Sequence, residues 1–206
     1  MGPEAGLEPR TRLRASARAA TGRALGVACA AVLAACASTT VSLDPAPQAP
    51  VCERAATALV LWAPEWRADQ KDVVEREAAA AAGMNAFFGV SGCFASTEIR
   101  RVPDLGPATV SAQAASTSGQ PGRIVVIGVR ELGPVVKLLA SAALVEGSTE
   151  VVLKIAAYPA TPGARPREFT VRWQSGGPGV VKGVASLPED MQAALRAGLQ
   201  PDAAAN

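Results

Sequence analysis

"RIVVIGVRE", residues 123–131, decides the fold. Ile124 to Val129 is apolar without alternation, the mark of a strand buried on both faces and therefore central in a sheet. "ALVLWAP", residues 58–64, has the same character and is closed by Pro64. Working outward, "CFASTEIRRV" (93–102) alternates, with Phe94, Ser96, Glu98 and Arg100 on one side. "TEVVLKIAAY" (149–158) and "REFTVRWQS" (167–175) are two further strands, joined through a segment with three prolines and a glycine. In the second of them Phe169, Val171 and Trp173 alternate with Glu168, Thr170, Arg172 and Gln174, so one face is wet.

Three helices fit between and after these strands. Residues 68–88 give the strongest, with Asp69 placed to cap it and Val74, Ala78, Ala81 and Phe88 on one face. Residues 107–117 give a weaker one. The last begins at Ser186-Leu187-Pro188-Glu189, which reads as a capping box, and Met191, Leu195 and Leu199 form its apolar stripe. Residues 133–147 fit the second half of a long strand, a helix or a hairpin. The expected fold class is α/β (or α+β): a single small domain, β-α-β-α-β-β-β-α, with helices packed on a mixed sheet. This order resembles the small α/β domain of several periplasmic lipoproteins, among them the curli-secretion pore family and the activators of penicillin-binding proteins. The resemblance is one of element order and of the helix, glycine turn and apolar strand at 108–129. It implies an accessory role, and no diagnostic motif accompanies it.

Charge is unevenly placed along the chain. Five arginines (Arg10, Arg12, Arg14, Arg18, Arg23) and two glutamates precede an apolar run of 12 residues, 24–35. After Cys36 there are 15 Lys and Arg against 16 Asp and Glu. The body is near neutral and has no basic run, which speaks against nucleic acid as a partner. The apolar run is shorter than the roughly 20 residues a spanning helix needs and fits the core of an export signal. It ends in Leu33-Ala34-Ala35-Cys36.

That ending resembles the signal of bacterial lipoproteins, with Leu three before the cysteine and small residues between. The resemblance covers residues 1–36. It implies that Cys36 receives a diacylglyceryl group on its sulfur, becomes the first residue of the mature chain and is acylated on its new amino group. The alternatives are an ordinary secretory signal with Cys36 incidental, or an uncleaved anchor. Acyl chains in this number exceed what stable anchoring in a bilayer needs. Ala37 and Ser38 follow where the family often carries Asp for inner-membrane retention, which implies the periplasmic face of the outer membrane. On this reading residues 1–35 are a signal peptide and 36–51 an acylated cysteine and flexible tether. Residues 52–200 are the domain and 201–206 a disordered tail. The tether is rich in Ser, Thr, Pro and Ala and reaches on the order of 45 Å if extended.

Candidate chemistry is sparse. The chain has no histidine, which removes the commonest general base, the Ser–His and Cys–His pairs and most catalytic zinc sites. Cys52 and Cys93 are the two other cysteines after Cys36. In an oxidising compartment they pair as a disulfide; otherwise they are two buried thiols. "SGGPGVVKG" (175–183) lacks the Gly-Lys-Ser/Thr ending of a phosphate loop and reads as a flexible loop or a partner-binding one. Glu131 and Lys137 are charges in an apolar region, either solvated at a strand bend or part of a polar site at the sheet's end. "WAPEWR" (62–67) sets Trp62, Trp66 and Arg67 around a strand exit. Core packing is one reading of the tryptophans; the other is a partner-binding patch, since Trp and Arg are enriched at hot spots.

The expectation is a non-enzymatic lipoprotein without metal or cofactor, attached to the lipid bilayer through acylated Cys36 and binding an envelope protein. The alternative is a small-molecule or lipid carrier at the outer membrane. A carrier needs an apolar cavity between sheet and helices.

Overall fold

In the computed structural model the described residues are 37–139, 144–159, 164–178, 180 and 182–200. The expected signal peptide at 1–35, Cys36 and the expected tail at 201–206 lie outside them. The elements are β1 (Ser38–Asp44), β2 (Glu53–Pro64), α1 (Val73–Val90), β3 (Phe94–Arg101), α2 (Pro107–Ala115), β4 (Arg123–Leu139), β5 (Leu144–Tyr158), β6 (Arg167–Pro178) and α3 (Leu187–Leu199). One mixed sheet runs β1-β6-β5-β4-β2-β3. β4, β2 and β3 are parallel, and β5, β6 and β1 continue antiparallel from β4. The expected α/β class and order of elements hold, with β1 added in front.

The layering follows from connection handedness. The chain steps from β2 to β3 in one direction and returns past β2 to β4 in the other. Right-handed crossovers in opposite directions place their helices on opposite faces. Hence β2 splits by residue parity. Ala58, Val60 and Trp62 join the larger core with α1 and α3, while Leu59, Leu61 and Ala63 join the smaller core with Val110 of α2. β4 divides likewise, with Val125, Ile127 and Val129 on one side and Val126 on the other. Only one face of β6 is buried, through Phe169, Val171 and Trp173. Met191, Leu195 and Leu199 of α3 are fully buried as the apolar stripe requires. α1 and α3 pack so closely that a Cβ on Gly83 would lie 2.6 Å from the Met191 Cβ and the Pro188 carbonyl oxygen.

Several expectations are corrected. Residues 38–44 are not tether: they form edge strand β1, with Val41 opposite Trp173 and Leu43 opposite Val171. Leu43 packs against the larger core, which gives this polar stretch a reason to stay on the sheet. The face of α1 is also different. Val74 is 77% exposed and Ala78 is exposed, while Ala79, Ala80, Gly83, Met84, Phe87 and Phe88 are buried. An alanine run gives no preferred face, so the large Met84 and Phe87 set the rotation. α1 starts after Asp72 rather than after Asp69, and Ser186 makes no side-chain cap on α3. Its Oγ donates instead toward the Gly183 carbonyl and the Asp190 carboxylate, at 3.1 and 2.9 Å. Residues 133–139 continue β4 and 144–147 begin β5, and β6 extends into the expected loop as far as Pro178.

Candidate functional site at the exit of strand β2

β2 pairs with β4 only as far as Pro64 opposite Val129. β4 runs ten residues further, to Leu139, and on that side no strand of the sheet pairs with it among the described residues. The flank opened in this way is dressed by the turn into α1. The Glu65 amide donates to the Val129 carbonyl at 2.9 Å. A bulge at Arg130 shifts the register between Val129 and Glu131, so Leu132 turns into the same core as Val129.

Arg76, from the second turn of α1, is 8% exposed and closes the start of the flank. Its Nε donates to the Lys71 carbonyl at 2.8 Å, and its Nη1 donates to the Leu132 carbonyl and to Glu131 Oε1 at 3.3 Å. A strand carbonyl that β2 would have paired is thereby satisfied by a guanidinium. The guanidinium occupies the space beside Gly133, where an added Cβ would sit 1.6 Å from Nη1, so no side chain fits there. Glu131 takes a second arginine on its other oxygen, Arg67 Nη2 at 3.3 Å. Arg67 is 68% exposed and also reaches Asp69 at 3.8 Å. The cluster is thus a buried Arg76 holding Glu131, with Arg67 displayed outside it.

The expected patch of Trp62, Trp66 and Arg67 therefore divides. Trp62 is 3% exposed and belongs to the core, under the Arg101 guanidinium at 6.0 Å, so it is no surface contact. Trp66 is half-buried against the larger core, and its Nε1 is buried with no hydrogen-bond partner among the described residues. Arg67 is at the surface. Glu131 is paired with Arg76 and Arg67 rather than solvated at a strand bend; Lys137 is opposite Glu146 in register. Arg76 was missed, since it lies on what looks like the polar side of a helix and its partner is 55 residues away. The Gly133-Pro134 break beside Glu131 is the one signal in the sequence that something crosses the strand there.

Two other polar clusters have structural explanations. At the opposite end of the sheet a cleft of about 260 Å³ is lined by Arg123, Arg165, Arg167 and Tyr158. Arg123 pairs with Glu53 at 2.6 Å and Arg167 donates to the Pro50 carbonyl at 3.2 Å, so both tie residues 50–53 to the strands. Near α3, Lys182 Nζ meets Asp190 Oδ1 at 2.6 Å and lies 5.3 Å from the centre of the Trp173 ring. Ser186 takes the other Asp190 oxygen, so lysine and serine both serve the carboxylate and pin the approach to α3. Cys52 and Cys93 form a disulfide, joining the segment before β2 to that before β3 with Cα atoms 4.6 Å apart. Among the described residues no three His, Cys, Asp or Glu side chains gather as a metal site. No helix among them is long and apolar enough to cross a membrane.

No protein-family model and no curated protein sequence matches the chain. Among solved structures, it is similar to PelC from Paraburkholderia phytofirmans, solved as a dodecamer, at 16% identity over 77% of this chain and 95% of that one, with a TM-score of 0.44. It is also similar to lipoprotein GNA1162 from Neisseria meningitidis, at 12% identity over 73% and 99% of the two chains, with a TM-score of 0.36. Likeness at this level carries over neither partner nor activity.

Proposed function

We propose that this chain is a membrane-anchored envelope lipoprotein whose α/β domain is a non-enzymatic binding module for another envelope protein, in a transport, secretion or cell-wall assembly. Its place is the periplasmic face of the outer membrane, through acylated Cys36. The observation that carries the binding role is the open flank of β4 beyond Val129, with Arg67 displayed beside it. An unpaired strand edge offers backbone donors and acceptors to an added strand, and side chains next to it supply selectivity. The Leu33-Ala34-Ala35-Cys36 ending supports the address. The Cys52–Cys93 disulfide supports an oxidising compartment.

The test expresses the full chain in a Gram-negative host with a clickable palmitate analogue, followed by in-cell crosslinking and purification. The wild-type chain is expected to carry the acyl label, to sediment with membranes and to bring down a crosslinked second protein. Cys36→Ser is expected to lose label and retention. Unchanged retention and labelling of the variant would remove the address, and recovery of the monomer alone would remove the binding role.

A further inference from the structure

We infer that the groove beside α2, on the sheet face opposite α1 and α3, is a binding site for a small zwitterion of the α-amino-acid class. The sheet register assembles it. Lys154 is opposite Gly128, Ala156 opposite Val126 and Tyr158 opposite Ile124, and Glu168 of β6 is opposite Ala156. Val126, Ile124, Ala156 and Tyr158 belong to the smaller core, so by strand alternation Gly128, Lys154 and Glu168 stand on the same face. α2 has only 9 residues and leaves Ala156 and Tyr158 half-buried. A cavity of about 300 Å³ remains beside it, at the lower end of the range for small-molecule sites. Val126, Ala156, Tyr158 and Leu105 supply its apolar lining, and Glu65, Lys154 and Glu168 its charges.

These charges are arranged unlike others on the sheet. Glu53, Glu98, Glu131 and Glu150 each pair with an arginine. Glu65, Lys154 and Glu168 make no ion pair among the described residues, although they are neighbours. Lys154 and Glu168 are diagonal across β5 and β6, with Cβ atoms about 7–8 Å apart. The Glu65 carboxylate occupies the space beside Gly128, where an added Cβ would be 2.9 Å from its Cδ and Oε2. The glycine opposite Lys154 thus clears the floor for a carboxylate. Glu65 itself follows the end of β2, where the crossovers to β3 and β4 diverge to opposite faces. Open α/β sheets take ligands at such switch points, outside the carboxyl ends of the strands. A purely anionic ligand would meet two glutamates there, and a purely cationic one the lysine. A ligand with both charges satisfies all three groups. Its carboxylate accepts from Lys154, its ammonium donates to Glu65 and Glu168, and its apolar part lies against Val126 and Ala156.

The test is isothermal titration of the full-length chain, purified in detergent from a Gram-negative host, with L-leucine and L-phenylalanine. The N-acetylated and the amidated form of each serve as probes that lack one charge. At least one of the two amino acids is expected to bind saturably, and both of its blocked forms about tenfold more weakly, the effect of losing one charge-assisted hydrogen bond. Lys154→Gln is expected to weaken the free amino acid about tenfold and to leave its amide unaffected. Glu65→Gln is expected to weaken the free amino acid and to leave its N-acetyl form unaffected. Both variants change exposed, unpaired side chains, and an unchanged urea midpoint checks that each is folded. Failure of both amino acids to bind the folded wild type, equal binding of the blocked forms, or unchanged affinity in both variants overturns the site. None of these outcomes touches the protein-binding reading above.

Discussion

The two ends of the sheet are built on different terms. At the end where β4 begins, Arg123 pairs with Glu53, Arg167 holds the Pro50 carbonyl, the Val51 amide bonds the Leu199 carbonyl, and Cys52 is bridged to Cys93. Each of these ties residues 50–53, the approach to β2 and its first residue, to the rest of the domain. At the other end β2 stops, β4 and β5 run on as a hairpin, and one buried arginine closes the start of the open flank. Binding surfaces come from the less constrained parts of a fold, held by a rigid remainder. The stapled end supplies the rigidity here, and the hairpin end keeps its strand edge and its exposed arginine available.

Removing the staple should have the largest effect. The disulfide closes a loop with a sequence separation of 41, which in the chain-entropy model stabilises by about 4 kcal/mol. Cys52→Ala with Cys93→Ala is expected to lower the urea midpoint accordingly, and alkylation of the denatured, unreduced wild type is expected to find neither thiol free. Next comes Arg76→Ala. It takes one of two arginines from the half-buried Glu131 carboxylate and leaves the Leu132 carbonyl without its donor, a loss of about 3 kcal/mol. Gly133→Ala should cost a similar amount by displacing the same guanidinium, and the two changes together should cost little more than either. A loss below about 0.5 kcal/mol for Arg76→Ala would mean that the hairpin end needs no closure, and the comparison would fail.

Smaller effects separate structure from display. Arg123→Ala breaks a partly exposed pair and should cost about 0–1 kcal/mol. Arg67→Ala should cost only a few tenths of a kcal/mol, since its ion pairs are solvated, yet it is expected to abolish or sharply reduce the crosslinked species. An Arg67 variant that keeps its full yield of adduct would move recognition elsewhere on the domain.

What was legible in the sequence follows the same division of physical causes. β2 and β4 could be read because strands buried on both faces leave continuous apolar runs. β6 was readable from its alternation and α3 from its stripe. β1 was not readable, because an edge strand with one core-facing leucine looks like a polar linker until its partner is known. The face of α1 was hidden by alanines, which pack equally well on any side. The bulge at Arg130 changes which side chains face inward, and only pairing reveals it. Of the candidate site, Arg67 and Glu131 were visible as charges at a strand exit. Arg76 was invisible, because its meaning depends on a glycine 57 positions further along.

The central claim is that recognition belongs to the hairpin end of the sheet and not to the stapled end. The most direct measurement places a photo-crosslinking amino acid at single positions of the full chain in living cells, at 67 near the open flank and at 54 and 165 near the other end, all exposed. The account predicts a defined, ultraviolet-dependent adduct with another protein from position 67, and none from 54 or 165. Adducts of equal yield from all three, or from 54 and 165 alone, would contradict it.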